Sequence, residues 1–526
     1  MRSPLAGLLL VTLIGAIWRV AALLYNVWPH GDVAIDAAIS QNIASGNGLM
    51  VPFVDVRYYP TEQFGFGYPL DQHPPIWPLV GGAFARVVGD AYLGLRFASL
   101  VAGITCIPLS YLAFRRLLGP GWALFTATLV GLSYPLVDYS GNGSLWSLLT
   151  AGYLACLWLY GAGAGLSRRR WAGLGIAAGL SCLTNYPALV IPAALLAAAG
   201  LARPQARQSQ PGGVGFALAG AALALVTLPW LTYNVYHFGN PLWSQPLQRQ
   251  LLGAGSRDVE YLVTTEGVIK RNVPASGGLA GSVRARAVDV YGNVGFVTRQ
   301  LLILAPGISV AFAATVMLWL LLLRGGAARR PDIQALTPVI CLALAHLGLI
   351  LTWPTAKFRY LIPLMPLVFG CAAWMLQQLG PRQPRMALAG CALAACAFTN
   401  VWTFVAIPSH TYYYNGGLVA DNFGGQGEAA FVDEARRFQN AAAAISARGQ
   451  GTILADHLLH SFTGYPLVVN STSYPPDVIA HLVKTYQIRY VVAPRRLSDS
   501  YAPFGAREIW HDELFAAWEL EPRPAR

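Results

Sequence analysis

Charge is scarce in this chain: Asp, Glu, Lys and Arg make up 11% of its 526 residues, while 55% are hydrophobic. A soluble globular domain has about a quarter of its residues charged, so that class is excluded. Acids are scarcer than bases, 24 against 36, which leaves a formal net charge of +12. The 7 cysteines (Cys106, Cys156, Cys182, Cys341, Cys371, Cys391, Cys396) all fall within apolar runs. That placement excludes a disulfide framework or a cysteine metal site in the water-exposed parts. The chain also lacks a glycine-rich nucleotide fingerprint, an internal repeat and an evident metal-ligand cluster.

What it has instead is apolar runs of the length, about 20 residues, that crosses a hydrocarbon core. About 11 transmembrane helices are expected, at roughly 5–27, 94–114, 121–137, 144–163, 171–183, 187–202, 214–236, 300–323, 333–353, 358–379 and 386–407. The first is too long and bulky for a signal peptide and no small-residue cleavage site follows it, so it is expected to remain as an anchor. With the N-terminus in the cytoplasm, the short cytoplasmic segments hold Arg2, Arg115, Arg116, Arg168, Arg169, Arg170, Arg203, Arg207, Arg324, Arg329, Arg330, Arg382 and Arg385, against one acid, Asp332. This is a full positive-inside bias, and it accounts for the net charge more simply than nucleic acid does; no nucleic-acid partner is expected.

That orientation puts two long loops and the C-terminal region outside. The loop 28–93 is expected to hold an amphipathic helix at 33–45, ended by Gly46, and a second helix from Pro75 to Val88 lying along the interface. Counting the latter as a span would reverse the charge pattern of every later loop. The loop 237–298 carries Arg249, Arg257, Lys270, Arg271, Arg284 and Arg286, which fit anionic lipid headgroups or a lipid-linked phosphate. From about residue 408 the composition becomes solvated and nearly neutral. Short apolar runs at 452–455, 466–470 and 488–493 alternate with helical runs at 427–447 and 476–486, as in a small α/β domain.

Several strings bear on chemistry: Gly31-Asp32 followed by Ala38-Ile39-Ser40-Gln41-Asn42-Ile43-Ala44-Ser45-Gly46; His73-Pro74-Pro75-Ile76-Trp77-Pro78; Pro229-Trp230 with Phe238-Gly239-Asn240-Pro241-Leu242; and Phe358-Arg359-Tyr360-Leu361-Ile362-Pro363. In this order and topology they resemble the GT-C glycosyltransferases, and among these the protein O-mannosyltransferases and the bacterial enzymes that attach aminoarabinose to lipid A. The resemblance covers most of residues 1–407. It implies a polyprenyl-phosphate sugar donor, an acceptor hydroxyl in the cell envelope (lipid, polysaccharide or protein) and inversion at the anomeric centre. Such a reaction needs a base for the acceptor proton and cations for the departing phosphate.

The resemblance makes Asp32 the base, although an Asp at a helix start is also a natural N-cap. Asp36, one turn on, either supports the site or is simply solvated. His73 occupies a cation position before the Pro-Pro turn, where a turn residue would serve equally. Lys357 and Arg359 stand where few cations are expected, to grip phosphate or to snorkel. The chain departs from its relatives in the loop Asp138-Tyr139-Ser140-Gly141-Asn142-Gly143-Ser144, where Gly143 aligns with their acid and Asp138 or Asn142 is the candidate replacement. It departs again at Thr184-Asn185, where some relatives have Thr-Lys. Asp32 and Asp36 could add oxygens to a divalent-cation site, but four to six converging ligands are not legible in sequence.

The fold class expected is mainly α: a polytopic GT-C-like membrane module over 1–407, with interfacial helices in its first outer loop, and a small α/β periplasmic domain over 408–526. A lipid or glycolipid transporter is the rival, since transporters place ionisable groups near mid-membrane. Here His346 is the clearest such group, and a lone histidine in an apolar helix is more often hydrogen-bonded packing. A non-catalytic glycolipid-binding relative is the third reading.

Overall fold

The computed structural model describes residues 4–25, 31–54, 67–70, 73–161, 167–201, 213–243, 260–264, 267–271, 290–298, 301, 312–320, 335–352, 358–379, 382–406, 427–456, 459–469 and 476–521. It is a multi-pass membrane protein, mainly helical, with a small mixed sheet towards the C-terminus.

Helix α1 (Pro4–Tyr25) leads to α2 (Gly31–Ala44), the short strands β1 (Met50–Val51), β2 (Phe53–Val54) and β3 (Tyr68–Pro69), and α3 (Ile76–Val88). Next come α4 (Ala91–Leu132), α5 (Tyr134–Asp138), α6 (Trp146–Tyr160), α7 (Arg168–Cys182), a 3-10 turn at Tyr186–Leu189, α8 (Val190–Leu201) and α9 (Gly213–Phe238). A hairpin of β4 (Glu260–Thr264) and β5 (Gly267–Arg271) is followed by α10 (Thr337–Thr352), a 3-10 segment Phe358–Leu364, α11 (Met365–Gln378) and α12 (Arg382–Ala406). Four described stretches are long and apolar enough to cross a membrane on their own: Pro4–Leu24, Ala91–Leu132, Gly213–Phe238 and Phe358–Gln378. Other expected spans appear as shorter apolar helices, and much of the run 300–323 lies outside the described residues. Two expected spans join in α4, where Gly119 breaks the helix at φ 73°, ψ 169° just before Pro120. That backbone region belongs to glycine.

The C-terminal region holds α13 (Gly427–Ser446), β6 (Thr452–Ala455), β7 (Leu467–Val469), α14 (Pro476–Tyr486), β8 (Ile488–Pro494), β9 (Arg507–His511) and β10 (Phe515–Glu519). The sheet order is β2-β7-β6-β8-β10-β9, parallel from β2 to β8 and antiparallel beyond. Its first strand is therefore borrowed: Phe53 pairs with Leu467 and Val54 with Val468, so the loop 28–93 is stitched into the sheet.

One large apolar core lies among the membrane helices and includes Val33 and Ala37 of α2. A second core joins Ala34, Ile35, Ala38 and Ile39 of α2 to Phe438, Ala441, Ile445, Ile453 and Leu467. Helix α2 is thus held between the membrane helices and the C-terminal sheet. Sequence reading gives it a face to water; in the structure Val33 to Ser40 are all buried, because the C-terminal region covers that face.

Candidate active site

The site forms at the first turn of α2. Asp32 lies in that turn and Asp36 four residues on, so both carboxylates project on one side of the helix. The far end is fixed by Arg86, whose Nε and Nη2 donate to the carbonyls of Ala44 and Ile43 at 3.2 and 3.3 Å. A cation satisfying the last carbonyls of a helix also suits its dipole. Ser40 Oγ donates to Pro78 O at 3.2 Å, joining α2 to the start of α3.

The turn before α3 is anchored separately, by Ile76 N–H donating to Leu183 O at 3.0 Å. It brings the His73 Nδ1 to 3.3 Å from Asp36 Oδ1. Arg359 arrives from the 3-10 segment after α10, with Nη2 2.8 Å from Asp32 Oδ2. Acids and bases from three separate stretches of chain are therefore interleaved: Asp32 with Arg359, Asp36 with His73.

The two pairs differ in exposure. Asp32 is 44% exposed and the Arg359 side chain 19%, whereas the Asp36 side chain is 2% exposed and that of His73 20%. The solvated reading of Asp36 does not hold. Burial pushes its carboxyl above the ordinary aspartate range, against the pull of His73. For His73, burial favours the neutral ring, but the charge and hydrogen bond of Asp36, with Asp32 behind them, outweigh it and raise the imidazole. Arg359 acts on both in the opposite sense to Asp32.

Asp138 is fully buried at the end of α5 and is not among the charges that shift Asp36 or His73. It belongs to an adjoining layer, in which the Tyr139 ring lies 6.1 Å from that of Phe358. Gly143, at the position of the absent acid, has φ 82°; a Cβ there would meet Val33 Cγ1 at 3.2 Å and Arg96 Cγ at 3.3 Å. Any side chain at 143 would thus crowd Val33 and Arg96 and sit in a strained backbone. Asn142 is used locally, accepting from Ser144 N–H at 2.8 Å. Lys357 lies outside the described residues, as do Arg249, Arg257, Arg284 and Arg286.

One contributor escapes sequence reading. Arg19, in the first apolar helix, is fully buried and donates to the carbonyls of Gly15, Gly131 and Val130 at 3.0, 2.9 and 2.9 Å and to Ser140 Oγ at 3.2 Å. It fastens the loop after α5 to α1. The available signal was a lone arginine in an otherwise apolar run, which is costly unless hydrogen-bonded.

Among the described residues no group of three or more His, Cys, Asp and Glu is arranged to hold a metal. Each carboxylate of the site already faces a cation, so the donor set does not fit a divalent-cation cage. The arrangement does suit accepting a proton at a partly exposed carboxylate beside a guanidinium that can fork onto phosphate.

Residues 72–233 match the dolichyl-phosphate-mannose-protein mannosyltransferase family. An undecaprenyl phosphate-alpha-4-amino-4-deoxy-L-arabinose arabinosyl transferase of Pseudomonas aeruginosa (strain UCBPP-PA14) is 30% identical over 234 residues, 42% of this chain and 39% of that protein. A second such transferase, from Pseudomonas fluorescens, is 25% identical and matched over 29% of its length, so the chain spans about two fifths or less of these relatives. In fold the likeness extends further. ArnT from Cupriavidus metallidurans, in a crystal structure bound to undecaprenyl phosphate, superposes with a TM-score of 0.63 at 16% identity, over 97% of each chain. The Archaeoglobus fulgidus oligosaccharyltransferase gives a TM-score of 0.56 at 12% identity, over 93% of this chain and 69% of that one. Over part of its length the chain is thus similar in sequence to the protein mannosyltransferases and the aminoarabinose transferases, and over nearly all of it the fold is like that of ArnT and the archaeal oligosaccharyltransferase.

Proposed function

We propose that this GT-C relative transfers a sugar from a polyprenyl-phosphate donor to an acceptor hydroxyl at the periplasmic face of a bacterial inner membrane, with inversion. The observation that carries the reading is the contact of a half-exposed carboxylate, Asp32, with the guanidinium of Arg359. Asp32 takes the proton of the acceptor hydroxyl as its oxygen attacks the anomeric carbon. The bond from that carbon to the phosphate oxygen breaks, and polyprenyl phosphate leaves with the electron pair. Attack opposite the leaving group inverts the centre.

Arg359 holds the phosphate as charge builds on it, and His73, favoured as imidazolium, adds a second positive charge nearby. Lys357, two residues before Arg359 in sequence, is assigned the same task. Asp36 is the buried counter-charge that keeps His73 protonated, and Asp138 supports the adjoining loop. Asp32 and the incoming phosphate compete for one guanidinium, so donor binding frees the base. A lipid-linked donor is supported by the fold likeness to ArnT bound to undecaprenyl phosphate. The outward site is supported by the arginine bias of the short loops.

The transporter reading has less support, since both ring nitrogens of His346 are committed to fixed bonds within the protein. The test offers purified protein a polyprenyl-monophosphate sugar or a nucleotide sugar, each with envelope extract as acceptor. Turnover with the lipid-linked donor is expected. Turnover with the nucleotide sugar alone would overturn the reading.

A further inference from the structure

His346 lies in α10 and is 1% exposed. Its Nε2 is 2.7 Å from the carbonyl of Tyr360, and its Nδ1 is 2.9 Å from the hydroxyl of Tyr153 on α6. A carbonyl only accepts, so Nε2 carries the ring proton. In the neutral imidazole that leaves Nδ1 to accept from Tyr153. The Tyr153 hydroxyl is 3.3 Å from Pro187 O, farther than from the ring nitrogen, and the two rings meet edge to face at 5.3 Å. With the ring neutral, the bonds run from Tyr153 to His346 to Tyr360.

Tyr360 follows Arg359. The bond from His346 therefore grips the Tyr360–Leu361 peptide, one residue on from Arg359, and ties the 3-10 segment Phe358–Leu364 to α10. Two aromatic contacts also hold the segment: Trp146 against Tyr360 at 5.4 Å and Tyr139 against Phe358 at 6.1 Å. The C-terminal end of α10 is held too, since Asn293 Nδ2 donates to Leu351 O at 3.0 Å. A side chain as long as arginine, reaching a phosphate by two parallel bonds, needs its backbone fixed to within a fraction of an ångström.

We infer that His346, oriented by Tyr153, is the positioning residue for Arg359, setting the height of the phosphate grip through the Tyr360 carbonyl. The inference rests on Arg359 being that grip. Packing alone would ask only for a ring of suitable volume; positioning asks for a donor at Nε2. Leucine lacks that donor, whereas glutamine extends an amide N–H to about the same distance from Cα.

The experiment measures binding of undecaprenyl phosphate to purified protein in detergent for wild type, R359A, H346L, H346Q, Y153F and the double variant H346L/R359A. Melting temperatures are recorded alongside, and binding is scaled to the folded fraction. Wild type should bind, R359A should weaken binding by tenfold or more, and H346L should weaken it by about tenfold (1.4 kcal/mol). H346Q should recover most of the loss, Y153F should fall between, and the double variant should bind no worse than R359A. If R359A weakens binding but folded H346L matches wild type, or if H346Q is as poor as H346L, His346 only packs and the inference fails. If wild type does not bind, or R359A binds as well as wild type, the reading of Arg359 fails first and the inference with it.

Discussion

Replacing Asp32 by Asn separates three quantities that general damage would move together. The substitution keeps shape and removes one negative charge. At 2.8 Å from Arg359 Nη2 the bare attraction is roughly 6 kcal/mol at an effective dielectric near 20. Asp32 is 44% exposed, however, so solvent screening and side-chain entropy reduce the net worth of the pair to about 1 kcal/mol or less. Asn also serves about as well as Asp where a helix start needs an acceptor. The melting temperature should therefore fall by no more than about 1–2 °C in a chain of this size. Transfer should fall by roughly 10²–10⁴, or about 2.7–5.5 kcal/mol of barrier, the usual worth of a positioned base. Affinity for undecaprenyl phosphate should stay level or rise, by up to about fivefold, because the phosphate no longer competes with a carboxylate for Arg359. The assays are turnover with a polyprenyl-phosphate sugar, lipid binding and thermal melting on one preparation. An Asp32→Asn protein with wild-type turnover, or with weakened lipid binding at an unchanged melting temperature, would refute the reasoning.

Arg359→Lys keeps the charge but loses the planar fork, so the donor KM should rise, and Arg359→Ala should raise it further, by roughly 10- to 150-fold for the loss of about 1.5–3 kcal/mol; equal KM values in all three proteins would mean the guanidinium only snorkels. The imidazolium of His73 is favoured by the fold, so the contribution of its pair with Asp36 is present below the free-imidazole value of 6.5, down to where the raised Asp36 carboxyl takes up its proton, and drains away as pH climbs through the raised His73 value. Melting and turnover of wild type should both decline on that basic limb, and His73→Gln should remove the dependence; a limb unchanged in that variant would assign it elsewhere. Fusions of a periplasm-only reporter enzyme at residues 410 and 275 should be active and one at 328 silent, and the reverse pattern would invert the topology.

Periodicity and caps were sufficient for what is local. The helices at 31–44 and 76–88, the strands at 452–455, 467–469 and 488–494 and the helix at 476–486 fall close to where apolar patterning puts them. Long-range pairing was not legible. Strand β2 is two residues long, and its partner lies at the other end of the chain, so no pattern near Phe53 announces it. The burial of Asp36 has the same origin: nothing around it in sequence says that α2 is covered on both sides, or that His73 will meet it. The charged strings themselves were readable because scarce charge in an apolar chain is costly and has to be paired. What each charge pairs with is a property of the fold, and Arg19, satisfied by carbonyls that carry no sequence signature, was the hardest to foresee.

The borrowed strand also sets a timetable. Phe53 is made about four hundred residues before Leu467, the partner it pairs with, an interval of roughly 20 to 80 s at ordinary rates of synthesis. Until then the flank of α2 formed by Ile35, Ile39 and their neighbours has no cover, since its other wall, including Phe438 and Ile453, does not yet exist. The helix that carries Asp32 and Asp36 is thus translated among the first elements, yet one of its two walls is among the last. Until the far end docks, the proposed site lacks one of its walls, and the apolar flank of α2 has no partner from the C-terminal region.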